Sequence, residues 1–281
     1  MVNHENGFGV NGFLAELGGK AHEELQTAVE IQDPDHFPQE DEIYSQQRTW
    51  KRIRDVVAVV VDLKNSTRLS FRRHPQTSAR VYEAATGNCA CIVQTFRPEY
   101  VDIQGDGLFA LYHGDRAYER ALCTGISLKT FSERHLVLEI HKMPGSMPKH
   151  VPDTGLKIGI ASGVLAVKKV GVRGGAEPVW AGRTVNWASK CAGKADAHEL
   201  IATDPVFRRF GDNDYVTHSC GCPSGTPSEL WAEAVVEKLP EEAAHCKVLR
   251  SGWCQDHGDE FCRAILRGAR HRQEISGARS A

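Results

Sequence analysis

A run of six small apolar residues, Val56 to Val61, ends on an acid, Asp62. An unbroken apolar run of this length is typical of a strand that is covered on both faces. Such a strand requires helices above and below it, so it restricts the chain to a layered fold. The polar residues that follow Asp62 predict a turn at the edge of the sheet.

The rest of the chain alternates between helical and extended patterns. "HPQTSARVYEAATGNCACIVQTF" and "DRAYERALCTGISLKTFSERH" carry apolar residues at three- and four-residue intervals, which predicts two helices. "EYVDIQGDGLFALYHG" predicts a hairpin that turns at Gly105-Asp106-Gly107. "GLKIGIASGVLAVKKVGV" predicts extended structure, and "GRTVNWASKCAGKA" a third helix. "CKVLRSGWC" and "EFCRAIL" predict a closing hairpin. This order indicates an α+β fold with a mixed sheet covered by helices.

We expect three parts along the chain. Residues 1–48 are predicted to form an appended arm with a short helix, because glycine, asparagine and acids dominate them. Residues 49–268 hold the alternating strands and helices of the main domain. Residues 269–281 are predicted to be a tail.

Composition narrows the class of protein. The formal net charge of −2 gives no sign of a nucleic-acid or membrane surface. The start of the sequence lacks the pattern of a secretory signal, and no apolar run approaches the length of a membrane span. Nine cysteines at irregular spacings argue against a disulfide framework. We therefore expect a cytoplasmic protein with neither a nucleic-acid nor a membrane partner.

Two acids lie where strands are predicted to end. If the strands of Asp62 and Asp106 are neighbours, both carboxylates emerge at one edge of the sheet. Two carboxylates held together favour a bound cation, and oxygen ligands favour Mg²⁺ or Mn²⁺. Paired ions of this kind suit in-line phosphoryl displacement. The alternative is that Asp62 is only a turn or helix-cap residue and that Asp106 is only a residue at the tip of a hairpin.

The turn after Asp62 offers backbone N–H groups and two hydroxyls. It consists of Lys64, Asn65, Ser66 and Thr67. Consecutive backbone N–H groups in a turn form anion-binding concavities. We therefore predict that this turn binds a polyphosphate.

The motifs together resemble those of the class III nucleotide cyclases. That family carries an acid after an apolar strand, a Gly-Asp hairpin, a GI-x-x-G strand and a V-N-x-A-[AS]-R helix. Here these are Asp62, Gly105-Asp106, Gly159 to Gly163, and the "VNWASK" that contains Asn186. The resemblance covers roughly residues 50 to 268.

The resemblance implies a ferredoxin-like core that works as a head-to-tail homodimer with composite active sites. Asp62, Asp106 and the carbonyl of Leu63 would hold two divalent cations, Mg²⁺ or Mn²⁺, at each site. Asn186 of the second subunit would orient the ribose. Lys190 would stabilise charge on the α-phosphate, although the family usually has arginine at that position and lysine lacks its bidentate fork.

The identity of the base depends on fewer residues. Purine-specific relatives read the base with a side chain four residues before the hairpin acid, and here that residue is Asp102. A carboxylate there can accept a hydrogen bond from N3–H of uracil, from the amino group of cytosine or from guanine. Trp180 would narrow the pocket against purines if it faces inward, and Trp50 would stack on the base. For both tryptophans, simple packing is the alternative.

This pattern resembles the pyrimidine cyclases of bacterial anti-phage defence, which implies a separate effector that responds to the cyclic nucleotide. We predict conversion of UTP to cyclic UMP. A cytidylate cyclase, a purine (guanylate or adenylate) cyclase and a catalytically silent nucleotide-binding sensor remain alternatives.

Two further patterns are interpreted as structural. "HGDEF", from His257 to Phe261, resembles the metal-binding turn of diguanylate cyclases, but only 20 residues follow it, so a polar hairpin turn is predicted. Seven cysteines and histidines near the C-terminus do not match the paired C-x₂₋₄-C knuckles of zinc sites. They are His218, Cys220, Cys222, Cys246, Cys254, His257 and Cys262.

Overall fold

The structure is a computed structural model. It describes residues 9–43, 48–70, 75–143, 153–172, 175–223 and 225–276. The predicted arm therefore lacks description at residues 1–8, and the predicted tail at residues 277–281.

The strands of the described residues form one mixed sheet. They are β1 (Glu30–Gln32), β2 (Thr49–Leu63), β3 (Tyr100–Gln104), β4 (Gly107–Tyr112), β5 (Leu156–Val172), β6 (Gly175–Gly182), β7 (Leu200–Thr203), β8 (Trp231–Val235) and β9 (His245–Leu249). Their order is β3-β4-β2-β5-β7-β9-β8, with β1 beside β2 and β6 beside β5. The β1–β2 and β5–β7 pairs are parallel, and the other pairs are antiparallel.

Helices cover both faces of this sheet. They are α1 (Val10–Gln26), α2 (Ser66–Ser70), α3 (Pro75–Tyr82), α4 (Asn88–Thr95), α5 (Ala117–Phe131), α6 (Val137–Lys142), α7 (Arg183–Lys194), α8 (Asp204–Phe207), α9 (Asp214–Thr217), α10 (Gly258–Arg267) and α11 (Gln273–Ser276). A π-helical turn joins α3 to α4, and another joins α5 to α6. No helix among the described residues is both long and apolar enough to span a bilayer.

The apolar run that ends at Asp62 lies at the centre of the sheet. Strand β2 pairs with β4 on one side and with β5 on the other. Val57, Val59 and Val61 belong to the core beneath α4 and α5, whereas Val56 and Ala58 belong to the core beneath α7. The prediction of a strand covered on both faces is confirmed, as is the α+β class.

The predicted closing hairpin is wrong. "CKVLRSGWC" contributes β9, but "EFCRAIL" lies in helix α10, and "HGDEF" leads into that helix instead of forming a hairpin turn. Phe261 and Ile265, one helical turn apart, are both buried, while Arg263 between them is exposed. A four-residue interval of burial is helical, and the short apolar run concealed it.

The N-terminal region is more closely joined to the sheet than the predicted boundary at residue 48 implies. Strand β1 pairs with the start of β2, and both Phe37 and Ile43 are buried against the core beneath α7. Helix α1 has no buried residue. At the other end, Ile275 of the predicted tail is also buried.

Candidate active site

Asp62 lies near the end of β2, directly after the last residue that pairs with both β4 and β5. It is paired in register with Lys157 on β5. The Nζ atom of Lys157 is 2.7 Å from Oδ2 of Asp62, and the two side chains are 16% and 43% exposed. The strand therefore presents a carboxylate that solvent can reach and that already has one cationic neighbour.

Asp106 occupies the two-residue turn of the β3–β4 hairpin. Gly105 precedes it with a φ of 63°, a conformation that glycine adopts without strain. Gly107 follows it, and a Cβ there would lie 2.5 Å from the carbonyl oxygen of Val61. This close approach places the hairpin turn against the end of β2. Asp62 thus lies near the end of β2, and Asp106 lies in the turn that leads into the neighbouring strand β4. This pair is here called the acid edge (Asp62 and Asp106).

A cavity of about 540 Å³ opens beside the acid edge. One face of α7 forms a wall of it, with residues spaced three or four positions apart. Among the residues predicted from sequence, the cavity brings together Asp62, Asp102, Trp180 and Asn186. These four come from four different elements, so the tertiary structure makes them neighbours.

Asp102 lies on β3 opposite Phe109 of β4. The side-chain amide Nε2 of Gln104 donates a hydrogen bond to Oδ2 of Asp102 over 2.9 Å. Both side chains line the cavity, since residues two apart on a strand share a face. Gln104 therefore fixes one oxygen of the carboxylate predicted to read the base.

Trp180 forms part of an aromatic group at the cavity wall. Its ring stacks on Phe37, with centroids 5.5 Å apart, and lies 4.8 Å from the ring of Tyr100. The indole is therefore held between the N-terminal region and β3. Trp180 packs against these neighbours and also lines the cavity, and that it narrows the cavity against purines stays a prediction.

Trp50 does not reach this cavity. It is paired with Ile31 at the opposite end of β2. Twelve residues of extended strand separate it from Asp62, which corresponds to about 40 Å. The structure therefore does not bring Trp50 to the cavity of its own chain.

In the polar turn after Asp62, the side chains of Lys64 and Asn65 bind residues elsewhere in the chain. Lys64 pairs with Asp153, 2.5 Å away, and with Asp196, and these carboxylates raise the pKa of Lys64. Asn65 has a φ of 60°, and its side chain donates to the carbonyl oxygen of Asp153. Ser66 and Thr67 start helix α2.

Three other predicted site residues, Asp106, Lys190 and Leu63, do not line the cavity, although Gly107 next to Asp106 does. Lys190 is one helical turn after Asn186 on α7, half-buried, and has no ion-pair partner within 4.0 Å among the described residues. Leu63 ends β2, with its side chain buried and its backbone opposite Leu156.

Two curated proteins with sequences similar to this chain are both named uridylate cyclase. A uridylate cyclase of Micromonospora echinofusca is 41% identical over 271 residues, which is 95% of this chain and 87% of the relative. A uridylate cyclase of Propioniciclava tarda is 40% identical over 255 residues, which is 90% of this chain and 81% of the relative. No protein-family model matches the chain.

The chain belongs to the uridylate cyclase family. The fold is similar to that of solved nucleotide cyclases. The crystal structure of the adenylyl cyclase CyaB from P. aeruginosa matches with a TM-score of 0.57 at 15% identity, over 72% of this chain and 96% of that one. The protein is a nucleotide cyclase, and the resemblance given by its sequence motifs is confirmed.

Sequence reasoning missed two polar residues of this cyclase's site. Lys157 lies two positions before Gly159 in the GI-x-x-G strand, and a lysine within an apolar strand is itself a signal of a nearby acid. Gln104 follows Asp102 at the two-residue spacing of a strand face. Both could have been found from the predicted strands. Strand geometry places Lys157 beside Asp62 and Gln104 beside Asp102.

The acid edge also fits the divalent cations that this family implies. Its donors are carboxylate oxygens, which hard cations prefer over sulfur or nitrogen. Asp62 remains partly open to solvent. The residues present are therefore compatible with Mg²⁺ or Mn²⁺.

Proposed function

We propose that this protein converts UTP to 3′,5′-cyclic UMP and pyrophosphate. The observation that carries the proposal is that Asp102 lines the same cavity as Asp62 and Asn186. A carboxylate at that place accepts a hydrogen bond from N3–H of uracil. The name of the relatives at 40% and 41% identity supports the same base.

Trp180, which lines the same cavity as Asp102, supports a small base. Trp180 is held by Phe37 and Tyr100, so its ring cannot swing away without disrupting two aromatic contacts. A fixed indole restricts the space available to a purine. Cytosine remains the competing pyrimidine, because its amino group also donates to a carboxylate.

In the reaction, the ribose 3′ oxygen attacks the α-phosphorus as the bond from that phosphorus to the bridging oxygen breaks. The 3′ hydroxyl proton passes to solvent, and pyrophosphate leaves. Asn186 would orient the ribose, and Lys190, one turn along α7, would stabilise charge on the α-phosphate. The backbone N–H groups of the turn at Asn65 to Thr67 would bind the phosphates, whereas the N–H of Lys64 already donates to the carbonyl oxygen of Gly155 over 2.9 Å.

Asp62 and Asp106, with the carbonyl of Leu63, would hold two divalent cations. When bound, these ions lower the pKa of the 3′ hydroxyl and offset charge on the triphosphate. Lys157 would keep part of the Asp62 charge neutralised before substrate arrives, since its ammonium lies 2.7 Å away.

A product assay tests the choice of base. The full chain is incubated with Mn²⁺ and each of the four ribonucleoside triphosphates in turn, and products are separated by chromatography. Cyclic UMP and pyrophosphate are expected in equal amounts from UTP, with Asp106→Ala protein as the blank. Cyclic AMP as the main product would refute the assignment of Asp102.

We also propose that the active enzyme is a head-to-tail homodimer with Asn186 acting in the second subunit's site. Because Asn186 and Asp62 line one cavity within a single chain, this needs a direct test. Asp106→Ala and Asn186→Ala chains, each inactive, are mixed and allowed to exchange subunits. Composite sites predict recovery of about a quarter of wild-type activity, since half of the random dimers each hold one intact site. No recovery, despite proven exchange, would assign both residues to one chain.

The product would serve as a second messenger for a separate effector in anti-phage defence. Cells that express the protein are expected to accumulate cyclic UMP after phage infection, and cells with Asp106→Ala are not. An unchanged nucleotide level in infected cells would remove this role while leaving the enzymatic proposal intact.

A further inference from the structure

Four cysteine and histidine residues, set aside in the sequence analysis, converge on one point away from the acid edge. This cysteine–histidine cluster consists of Cys220, Cys222, Cys254 and His257. Two members come from the loop before β8, and two from the turn before α10. Strands β8 and β9 are antiparallel with Trp231 opposite Leu249, so the loop entering β8 and the segment leaving β9 lie at the same end.

The donor atoms have the separations of ligands around one ion. All four lie within 4.8 Å of one another. Nδ1 of His257 is 3.5 Å from Sγ of Cys222 and 3.8 Å from Sγ of Cys254. Tetrahedral zinc, with about 2.3 Å to sulfur and about 2.0 Å to nitrogen, sets a sulfur-to-nitrogen separation of about 3.5 Å. The three thiols are free, whereas a disulfide would bring two sulfurs to about 2.05 Å.

Hydrogen bonds of the backbone shape the two short segments that carry the ligands, Cys220 with Cys222 and Cys254 with His257. The N–H of Cys222 donates to Sγ of Cys220 over 3.5 Å, a contact that favours a sulfur bearing negative charge. On the other side, the N–H of Gly258 donates to the carbonyl oxygen of Cys254 over 2.8 Å. This helical turn places Cys254 and His257, three residues apart, on one face.

We propose that the cysteine–histidine cluster binds one structural zinc ion. Three thiolates and one imidazole form a closed tetrahedral set, which is the ligand set of structural rather than catalytic zinc. Soft sulfur ligands also distinguish this site from the acid edge, whose oxygens suit Mg²⁺ or Mn²⁺. The proposal does not depend on the base that the enzyme uses.

The ion would fasten helix α10 to the edge of the sheet. His257 immediately precedes α10, whose Phe261 and Ile265 are buried in the domain. Cys220 and Cys222 belong to a loop whose ends are held by Ser219, since its N–H donates to the carbonyl oxygen of Ser228. Zinc would thus add a direct link between two segments that are remote in the chain.

Metal analysis of the full chain tests the site. Protein without a histidine tag is purified in reductant without added metal, and zinc is measured by mass spectrometry. We expect about one zinc per chain. Cys222→Ser and Cys254→Ser should lose it, and Cys91→Ser, which changes an exposed cysteine on α4, should keep it.

A second measurement uses wild-type protein and so avoids variants that fail to fold. After a chelator removes the metal, one equivalent of Co²⁺ should give the visible absorption of a tetrahedral thiolate complex, and Zn²⁺ should displace it. Zinc should also raise the midpoint of thermal unfolding of the stripped protein by more than about 5 °C.

Three results would overturn the proposal. They are a zinc content well below one per chain together with a disulfide among the cluster cysteines, equal zinc in Cys254→Ser and Cys91→Ser, or a cobalt spectrum without thiolate absorption. An effect of Asp106→Ala on zinc content would likewise place the ion at the acid edge instead.

Discussion

The acid edge and the cysteine–histidine cluster assemble charged or nucleophilic side chains in opposite ways. At the acid edge, Asp62 lies near the end of β2. Asp106 lies in the turn of the β3–β4 hairpin, whose strand β4 pairs with β2. In the cluster, two loops meet because β8 and β9 pair beyond them. The pairing of β2 with β4 is enough to bring the two acids together, whereas the cluster forms only when the whole C-terminal region has folded.

The two regions also differ in donor chemistry. Carboxylate oxygens at a partly open edge suit exchangeable hard cations that arrive with a nucleotide. Sulfur and imidazole ligands in a closed set suit an ion that stays bound and supports the fold. Disruption of the acid edge should therefore affect turnover, and disruption of the cluster should affect stability.

The largest expected effect is a loss of turnover that leaves the cysteine–histidine cluster unchanged. Asp106→Ala should lower kcat by at least about 1,000-fold, because it removes a carboxylate that would hold the ions that stabilise the transition state. Zinc content and the midpoint of thermal unfolding should not change. The control is Asp115→Ala, which alters an exposed acid just beyond β4 and should retain activity. Substantial turnover by Asp106→Ala would show that the acid edge is not the catalytic centre.

A smaller effect concerns the base-reading part of the cavity. Asp102→Asn should raise KM for UTP about tenfold, since a hydrogen bond to a charged acceptor becomes one to a neutral acceptor. Gln104→Ala should act in the same direction but more weakly, because Gln104 only holds one Asp102 oxygen. Kinetics with UTP, CTP and GTP measure both. An equal loss with every nucleotide would contradict a role in reading the base.

The smallest effect concerns the charge at the acid edge. Lys157→Met should lower the Mn²⁺ concentration for half-maximal activity by a few-fold, because the Lys157 ammonium repels a cation at Asp62. Lys168→Met, on the same strand but far from Asp62, should leave this concentration unchanged. A rise in the required Mn²⁺ would mean that Lys157 positions the carboxylate rather than opposing the metal.

The acid edge and Asn186 could be predicted because these residues are marked by sequence patterns that coincide with secondary structure. Asp62 ends an apolar run, Asp106 sits in a glycine-flanked turn, and Asn186 lies on an amphipathic helix. Each pattern fixes one side chain relative to its own backbone. The side-chain ion pairs of Lys64 could not be predicted, because Asp153 and Asp196 are remote in the chain.

The cysteine–histidine cluster could not be predicted for the same physical reason. C-x-C and C-x-x-H fragments carry half a ligand set each, and nothing in their spacing pairs one with the other. The mistaken hairpin at "EFCRAIL" concealed the connection further, since it removed the helical turn that aligns Cys254 with His257.

The sequence by itself determined the central strand, the class of fold, the two strand-end acids and the family. These depend on periodicity and on residues close together in the chain, where backbone geometry leaves few alternatives. Only the tertiary structure decided which distant side chains meet: Lys157 with Asp62, Trp180 with Phe37, and the members of the cysteine–histidine cluster. Contacts between remote segments are set by strand register and helix packing, which are properties of the whole sheet.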